Sequence, residues 1–252
     1  MGSSVRPGGS LTSRWPSYAL VTGASRGLGL AFAARLLDDG AVVALGVRDT
    51  TDAAAADALA ARHPGQARVL RADYADHATL RACPAESRLP RLDLLINCGA
   101  ANTDPGRPKS ASKGPLPQLD TASLAWLFEV NVAGPIALSQ AMLPLLADAR
   151  GTIVNVSTSR ASISLVDQAG SFGYAVTKAA FNMATRKLAM ELAPAGVTTV
   201  AVDPGWIRTR MGGDEAPRSP EDSARQILAV LRQSGSQVSG LFVDAHGERL
   251  PW

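Results

Sequence analysis

The stretch YALVTGASRGLGLAFAARLL, residues 18–37, decides the fold of this 252-residue chain. Its first five residues have the composition of a buried strand, a loop with glycines at positions 23, 27 and 29 follows, and an Ala- and Leu-rich helical pattern comes next. Glycine lets the backbone turn sharply, and the amino end of the following helix offers free N–H groups and a positive dipole end. This order predicts a phosphate-binding turn; an ordinary glycine turn is the alternative.

The alternation of strand and helix continues to the end of the chain. Short apolar or β-branched runs, typical of parallel strands buried on both faces, occupy residues 18–22, 41–47, 67–73, 92–97, 152–157, 198–203 and 240–244. Helical patterns lie between them, at residues 28–40, 52–63, 124–149, 173–193 and 220–234. We therefore predict an α/β fold, a single-domain Rossmann-type doubly wound parallel sheet of about seven strands with helices on both faces.

Residue types also indicate helix ends and domain limits. Gly40 follows the first helical pattern as expected of a carboxyl-terminal cap, and Ser219 before Pro220 is typical of a helix start. Residues 102–117 are rich in Pro, Gly and Ser, which predicts a long surface loop. We interpret residues 1–16 as a flexible leader and residues 17–252 as one domain.

Composition narrows the class of protein. Hydrophobic residues make up 46% of the chain and the formal net charge is only +3, so we expect a packed core, no nucleic-acid binding and no membrane span. Two cysteines without a CxxC motif fit a reducing, cytoplasmic location. The three histidines lie far apart in sequence, so we predict no metal site.

The end of the second predicted strand indicates which dinucleotide is bound. Dinucleotide folds that prefer NAD place an acid about 20 residues past the glycines, where it binds the ribose hydroxyls. Arg48 occupies the place near this strand end, Asp49 follows it, and Arg26 lies within the glycine loop. Two guanidinium groups suit a ribose 2′-phosphate, so NADP(H) is favoured over NAD(H); solvated arginines are the alternative.

A tyrosine and a lysine four residues apart indicate acid–base chemistry. Tyr174 and Lys178 share one face of the predicted helix 173–193. A free tyrosine has a pKa of about 10, and a nearby ammonium group favours the phenolate. We therefore expect Lys178 to lower the pKa of Tyr174 towards the working pH, where it is a better proton carrier.

With these features in place, the chain resembles the short-chain dehydrogenase/reductase family over residues 17–252, and it is most similar to the sniffer and C-factor branch of carbonyl reductases. The motifs that carry the resemblance are TGASRGLG (22–29), Asp73 after the third strand, INCGA (96–100), NVAG (131–134), VNVST (154–158), YAVTK (174–178) and PGWIRT (204–209). The resemblance implies NADP(H)-dependent reduction of an aldehyde or ketone to an alcohol, with Tyr174 as proton donor.

Site residues carry over from the family to matching positions. The catalytic set is Asn131, Thr158, Tyr174 and Lys178. The cofactor-binding set is Gly23, Ser25, Arg26, Gly27, Leu28, Gly29, Arg48, Asp73, Tyr74, Asn97, Cys98, Gly99, Tyr174, Lys178, Pro204, Gly205, Ile207 and Thr209. The resemblance implies that Asp73 contacts the adenine with Tyr74 beside it. It implies that Ile207 and Thr209 hold the nicotinamide carboxamide, and that Asn131 completes a proton relay through water.

Two motifs depart from the family pattern. The family has a serine pair at the strand end, whose second member binds the substrate carbonyl; the alignment puts Ser157 first and Thr158 second, with Ser159 as the alternative. A turn without catalytic function also accounts for three adjacent hydroxyls. Cys98 and Gly99 replace the usual Asn-Ala, and for the cysteine a small buried residue is favoured over a redox role.

Other functions remain open on the sequence. They are an NAD-linked alcohol dehydrogenase, a biosynthetic tailoring reductase acting on a bulky or imine substrate, and a non-catalytic dinucleotide sensor or signalling protein. The partner is a small-molecule carbonyl or alcohol, and the resemblance implies a homodimer or homotetramer assembled through helices near 118–147 and 171–193. Arg208 and Arg210 either favour an anionic or polar substrate or face solvent.

Overall fold

Seven parallel strands form one sheet in the computed structural model, which describes residues 15–252. The strands are β1 (Tyr18–Thr22), β2 (Val42–Val47), β3 (Ala67–Arg71), β4 (Leu94–Asn97), β5 (Thr152–Val156), β6 (Thr198–Asp203) and β7 (Phe242–Asp244). Their order across the sheet is β3-β2-β1-β4-β5-β6-β7, so the direction of winding reverses between β1 and β4. The predicted doubly wound α/β fold is confirmed.

Eight α-helices connect the strands in the described part of the chain. They are α1 (Gly27–Asp38), α2 (Ala54–Arg62), α3 (His77–Ser87), α4 (Ser110–Lys113), α5 (Thr121–Phe128), α6 (Gly134–Ala149), α7 (Phe172–Leu192) and α8 (Pro220–Ser234). A π-helical turn, Glu129–Ala133, joins α5 to α6. The predicted caps are confirmed: Gly40 follows α1 with a φ of 88°, and the Ser219 hydroxyl accepts a hydrogen bond from the Asp222 N–H at the start of α8.

Two elements differ from the sequence prediction. Helix α3 was not predicted. Its sequence HATLRACPAES contains Pro84, and only three of its residues are buried, so the sequence shows no clear apolar stripe. The expected loop 102–117 contains the short helix α4, and a 3-10 turn, Leu116–Gln118, follows it. The buried Ala111 holds α4 against the fold.

The core lies on both faces of the sheet because successive strand residues point to opposite sides. In β1, Ala19 and Val21 pack with α1 and α8, whereas Leu20 packs on the opposite face with α3 and α6. The chain enters this core earlier than predicted: Trp15 packs against the α1 side and Pro16 is buried. The remainder of the predicted leader, residues 1–14, lies outside the described residues.

One helical stretch is long and apolar enough to cross a membrane by length and composition. It covers Thr121–Ala149, with a mean hydropathy of 1.4 over its most apolar window, and it was not expected from the sequence. Its apolar side is used within the fold, since Leu138, Met142 and Leu146 are fully buried against the sheet. Helices that cover the core of a folded domain commonly pass this test.

Candidate active site

The loops that follow β1 and β4 meet where the sheet winding reverses. A Cβ atom on Gly23 would lie 2.9 Å from Cα of Gly99, and one on Gly29 would lie 2.3 Å from the Gly23 carbonyl oxygen. Gly23 also has a φ of +64°, which side chains rarely adopt. Glycine is therefore required for the loops to pack this closely, and the crevice at such a reversal is where doubly wound sheets bind ligands.

The amino end of α1 is open to an anion. Asp76, Asp120 and Ser219 cap the helices that follow them with side-chain oxygens, but no side chain among residues 15–252 caps α1. The first N–H groups of a helix have no acceptor within the helix, and together with the helix dipole they bind phosphate. The half-buried Ser25 lies in this loop, whereas the Leu28 side chain packs into the core. The glycine loop thus fits a dinucleotide pyrophosphate.

Tyr74 and Asn97 lie in a polar network beneath the crevice. Tyr74 is 5% exposed, and its hydroxyl pairs with Oγ1 of Thr22 at 2.7 Å and donates to Oδ1 of Asn97 at 2.9 Å. The amide of Asn97 donates to Asn155 and Ser139 in the interior. Both side chains are buried in this network, and contact of these two residues with a nucleotide remains a prediction. Burial raises the pKa of Tyr74 above its usual value.

The ends of β2 and β3 form a basic edge. Arg26 pairs with Asp52 at 3.2 Å, and Arg48 is exposed, with no carboxylate within ion-pair distance in the described chain. Asp49 accepts hydrogen bonds from both the N–H and the hydroxyl of Thr51, and these contacts lower its pKa. The carboxylate of Asp49 is therefore already hydrogen-bonded to Thr51. A third guanidinium, Arg71, donates to the Arg48 carbonyl at 3.4 Å.

Asp73 follows β3 at the same edge. Its Oδ1 accepts from the Ala75 N–H at 3.0 Å, and its Oδ2 lies 3.6 Å from Arg71. The side chain is half-buried beside the basic edge. Contact with an adenine ring remains a prediction.

Close helix packing positions Tyr174. A Cβ on Gly173 would lie 2.6 Å from Leu127 and 3.2 Å from the Ser112 carbonyl oxygen, so the first turn of α7 lies directly against α4 and α5. One turn later, Nζ of the buried Lys178 donates to the Val156 carbonyl at 2.8 Å. This bond ties α7 to the end of β5, and it brings Tyr174 to the carboxyl edge of the sheet.

The electrostatics of this pair differ from the prediction. Burial raises the pKa of Tyr174, and the charge of Asp203 adds to the effect, so the net shift is opposite in direction to the predicted one. Burial also lowers the pKa of Lys178 to about 8. The physical reason is that removing the phenolate of Tyr174 or the ammonium of Lys178 from water costs more free energy than interactions with neighbouring groups restore. Tyr174 therefore stays protonated at neutral pH.

The three hydroxyls after β5 have different surroundings. Oγ of the buried Ser157 donates to Asn182 at 2.6 Å and is used inside the fold. Thr158 is half-buried, and its Oγ1 accepts from the Arg160 N–H at 3.4 Å. Ser159 is exposed, and its N–H donates to Asp203. The hydroxyl of Ser157 is thus not available to bind a substrate carbonyl. The choice of Thr158 over Ser159 for that role remains a prediction.

Asn131 lies in the π-helical turn and is fully buried. Its side chain accepts from the Ala101 N–H at 2.9 Å and donates to the Ala101 carbonyl at 2.8 Å, and it also donates to Thr177 at 3.0 Å. Asn131 therefore clamps the segment after β4 to α7. Single-turn π-bulges occur frequently at functional sites. The water relay remains a prediction.

The segment after β6 closes the opposite side of the crevice. A Cβ on Gly27 would lie 3.2 Å from Cγ2 of Thr209, so this segment reaches the glycine loop. It begins at Pro204 and Gly205, which has a φ of +80°, and Ile207 is buried. Both arginines are exposed, and Arg208 donates to the Ala216 and Pro217 carbonyls.

Cys98 is an inert part of the crevice wall. Its thiol is only partly exposed and packs against the α1 side of the core. Burial raises its pKa to about 12, so the thiol stays protonated. A thiolate is the reactive form of cysteine, so a redox role is not favoured. The backbone N–H groups of Cys98 and Gly99 both donate to the Thr22 hydroxyl.

Comparison with known proteins decides the family. The model of the short chain dehydrogenase family matches residues 17–219. The chain belongs to this family. The C-signal protein of Myxococcus xanthus is 36% identical over 138 residues, which are 54% of this chain and 83% of that protein.

Solved structures of this short chain dehydrogenase family share the whole fold. Carbonyl reductase Sniffer of D. melanogaster matches with a TM-score of 0.85 and 27% identity, covering 94% of this chain and 99% of that one. The NADPH-bound carbonyl reductase from chicken fatty liver matches with a TM-score of 0.84 and 28% identity, with the same coverage. The predicted resemblance to the sniffer and C-factor branch is confirmed.

Four residues of the candidate site were not predicted from the sequence. Thr22 and Asn155 are buried polar residues in otherwise apolar strands, which is a readable signal that a polar network is present. Asp203 and Arg160 carried no such signal. The packing of β6 beside β5 brings the carboxylate of Asp203 to 3.0 Å from the Ser159 N–H. Arg160 acts on the pKa of Tyr174, which lies on another element.

Proposed function

We propose that this protein is an NADPH-dependent reductase of small aldehydes or ketones. The observation that carries the proposal is the position of Tyr174. The Lys178–Val156 bond and the packing of Gly173 hold it at the carboxyl edge of the sheet, where the glycine loop, Cys98 and Gly99 also lie. The oxidoreductase family and the NADPH-bound carbonyl reductase of the same fold support the reaction class.

Several residues of the chain have separate roles in the proposed reaction. NADPH held at the glycine loop and the basic edge would supply the hydride that reduces the carbonyl carbon. Thr158 and Tyr174 donate hydrogen bonds to the carbonyl oxygen, where negative charge develops, and Tyr174 then gives up its proton. The raised pKa of Tyr174 keeps it in the proton-donating form at neutral pH. Lys178 positions α7 against β5 through its hydrogen bond to the Val156 carbonyl. Asn131 holds the segment after β4 through its bonds to the Ala101 backbone.

The preference for NADPH rests on the basic edge. Arg48 is exposed and Asp49 is engaged with Thr51, so a guanidinium rather than a carboxylate is available to the adenosine ribose. A 2′-phosphate fits forked guanidinium contacts. Arg48→Ala is expected to weaken NADPH binding about tenfold while leaving NADH binding nearly unchanged.

The first experiment follows the absorbance of the reduced nicotinamide. Purified protein is mixed with NADPH or NADH and a panel of aldehydes, ketones and diketones, with Tyr174→Phe as the control. We expect consumption of NADPH that the variant loses by at least about a hundredfold, in line with a general acid. Tight NADPH binding without turnover of any carbonyl would overturn the reductase proposal and favour a dinucleotide sensor.

The homodimer and the cytoplasmic location stand as proposals. The dimer is supported by an apolar exposed face of α7, which is made of Phe172, Val176, Met183 and Met190. The location is supported by the two free cysteines and rests on that composition alone.

A further inference from the structure

A recess opens beside the proposed catalytic residues. Its walls come from segment 159–170 and the first turn of α7, the turn that contains Tyr174. Segment 159–170 begins directly after Thr158, and its Leu165 and Val166 supply apolar side chains to the wall. The recess is therefore placed to receive the apolar body of a substrate whose carbonyl group lies at Tyr174.

Burial in the core does not hold the outer part of this wall in place. Ala161 and Ser162 are buried, but every residue from 163 to 170 is exposed, and Ile163 reaches 80%. A loop with few buried apolar contacts opens at a low cost in free energy. The position of the wall therefore depends on the hydrogen bonds that the segment makes.

Those hydrogen bonds converge on the main-chain oxygen of Trp252. This oxygen accepts from the Ser162 hydroxyl at 3.3 Å, and from the N–H and the hydroxyl of Ser164 at 3.4 and 3.3 Å. Ser162 in turn holds the apolar wall residues. Its hydroxyl accepts from the Leu165 N–H at 3.3 Å, and its carbonyl accepts from the Val166 N–H at 3.2 Å. Both wall residues are thus connected to Trp252 through Ser162.

Trp252 itself is anchored to the edge strand of the sheet. Its ring stacks on the buried Phe242 of β7, with ring centroids 5.7 Å apart and an angle of 25° between the planes. The chain before Trp252 turns back along β7. There the Leu250 N–H donates to the Phe242 carbonyl at 2.8 Å, and Arg249 forms an antiparallel bridge with Val243. Stacked aromatic pairs of this geometry are stabilising, so Trp252 links the sheet to the recess wall.

We propose that Trp252 is a positioning residue that holds residues 162–166 as the wall of the recess, and thereby favours carbonyl substrates with a bulky apolar body. The inference rests on the proposed function and names a residue that sets its substrate range. Among the described residues 15–252, the lining of the recess does not include Trp252, so this residue acts through Ser162 and Ser164. Strands β4, β5 and β6 separate β7 from β1, so the glycine loop after β1 is unaffected.

The test compares a large with a small aldehyde in Trp252→Ala and Trp252→Phe. The alanine variant loses the stacking on Phe242, whereas the phenylalanine variant keeps an aromatic ring there. We expect Trp252→Ala to raise KM for 2-naphthaldehyde about tenfold while kcat changes less than about twofold, because only binding of the apolar body is lost. KM for propanal and for NADPH stays unchanged, and Trp252→Phe behaves like the parent protein.

Two serine variants provide a matched control. Ser164→Ala removes one donor to Trp252 without touching β7, and it is expected to raise KM for 2-naphthaldehyde about threefold. Ser236→Ala, at an exposed position before β7, is expected to leave KM unchanged. This pair also decides the question if Trp252→Ala does not fold.

Amide hydrogen exchange follows the wall without any substrate. We expect residues 162–166 to exchange at least about tenfold faster in Trp252→Ala than in the parent and in Trp252→Phe, with residues 22–29 unchanged. Unchanged exchange at 162–166, or an equal rise of KM for both aldehydes, overturns the inference. A parent that reduces propanal but not 2-naphthaldehyde overturns it as well. A parent that reduces no carbonyl overturns the proposed function and this inference with it, so the two failures are distinguishable.

Discussion

At the scale of single residues, the crevice depends on atoms that are missing from glycine. Gly29 has ordinary helical geometry, yet a Cβ there would lie 2.3 Å from the carbonyl oxygen of Gly23. Gly65 provides the opposite case, because its φ is +80° but no atom lies within 4 Å of a Cβ placed on it. Substitutions at these two positions therefore distinguish the effect of a steric clash in the glycine loop from the effect of backbone strain.

Gly29→Ala is expected to abolish NADPH binding, since the glycine loop must move away from its close-packed position. Gly65→Ala is expected to cost about 1–2 kcal/mol of stability through backbone strain and to leave binding unchanged. Fluorescence titration with NADPH and urea unfolding measure the two effects. Equal losses of binding in both variants would contradict the steric explanation.

Asp203 tunes Tyr174, which gives a prediction on pH dependence. Burial is the main cause of the raised pKa of Tyr174, and the Asp203 and Cys98 groups add to it while Arg160 opposes it. Asp203→Asn removes a negative charge, so the phenolate becomes easier to form and the pKa falls. Alcohol oxidation, which needs the proton acceptor form, is expected to reach half-maximal rate at a lower pH. The control is Asp214→Asn, on the exposed neighbouring segment. If Asp203→Asn left the pH profile of alcohol oxidation unchanged, Asp203 would not affect the pKa of Tyr174.

At the scale of elements, α7 has two functional faces. Its inner face carries Lys178, Asn182 and Thr185, which bond to the β5 region. Its outer face exposes apolar side chains at spacings of four and seven residues, which lie along one side of a helix. A contiguous apolar stripe on a surface marks an interaction site.

Met183→Glu is expected to convert the proposed dimer into a monomer, because a carboxylate is costly to bury at the centre of an apolar interface. Met183 is 64% exposed in the single chain, so the substitution should leave the fold intact. Sedimentation velocity measures the mass of each form, and Ala58→Glu on the exposed side of α2 is the control. A parent protein that sediments as a monomer would rule out this interface.

At the scale of the whole molecule, Lys178 is the one cation that is fully buried among the described residues 15–252. Lys178 is 1% exposed, and burial lowers its pKa from 10.5 to about 8. Between these pH values the unfolded chain holds a proton that the folded chain has released. Since the unfolded state binds more protons, the free energy of unfolding contributed by Lys178 rises with pH over this window.

Lys178→Met is expected to flatten the rise in stability between pH 8 and 10.5. Urea unfolding without nucleotide, repeated across this range, measures the difference between variant and parent. Lys187→Met, at an exposed position of the same helix, should retain the slope of the parent. A parallel pH dependence for Lys178→Met and the parent would mean that Lys178 stays charged in the fold.

The alternation of strands and helices and most elements could be predicted because apolar runs and glycine positions report local structure. Two of the seven predicted strands, 18–22 and 198–203, keep their predicted bounds, and the other five lie within their predicted runs, each shorter by one or two residues. Helix α3 was missed because Pro84 and a weak apolar stripe hide it from periodicity. The family's motifs likewise placed Tyr174 and Lys178 on one face of α7.

The sequence by itself determined the doubly wound fold, the glycine loop at its reversal, and the family to which the chain belongs. Only the tertiary structure decided that Tyr74 and Asn97 are buried beneath the crevice and that the pKa of Tyr174 is raised. The physical reason is that periodicity and spacing are local properties, whereas burial and the sum of nearby charges depend on residues far apart in the chain.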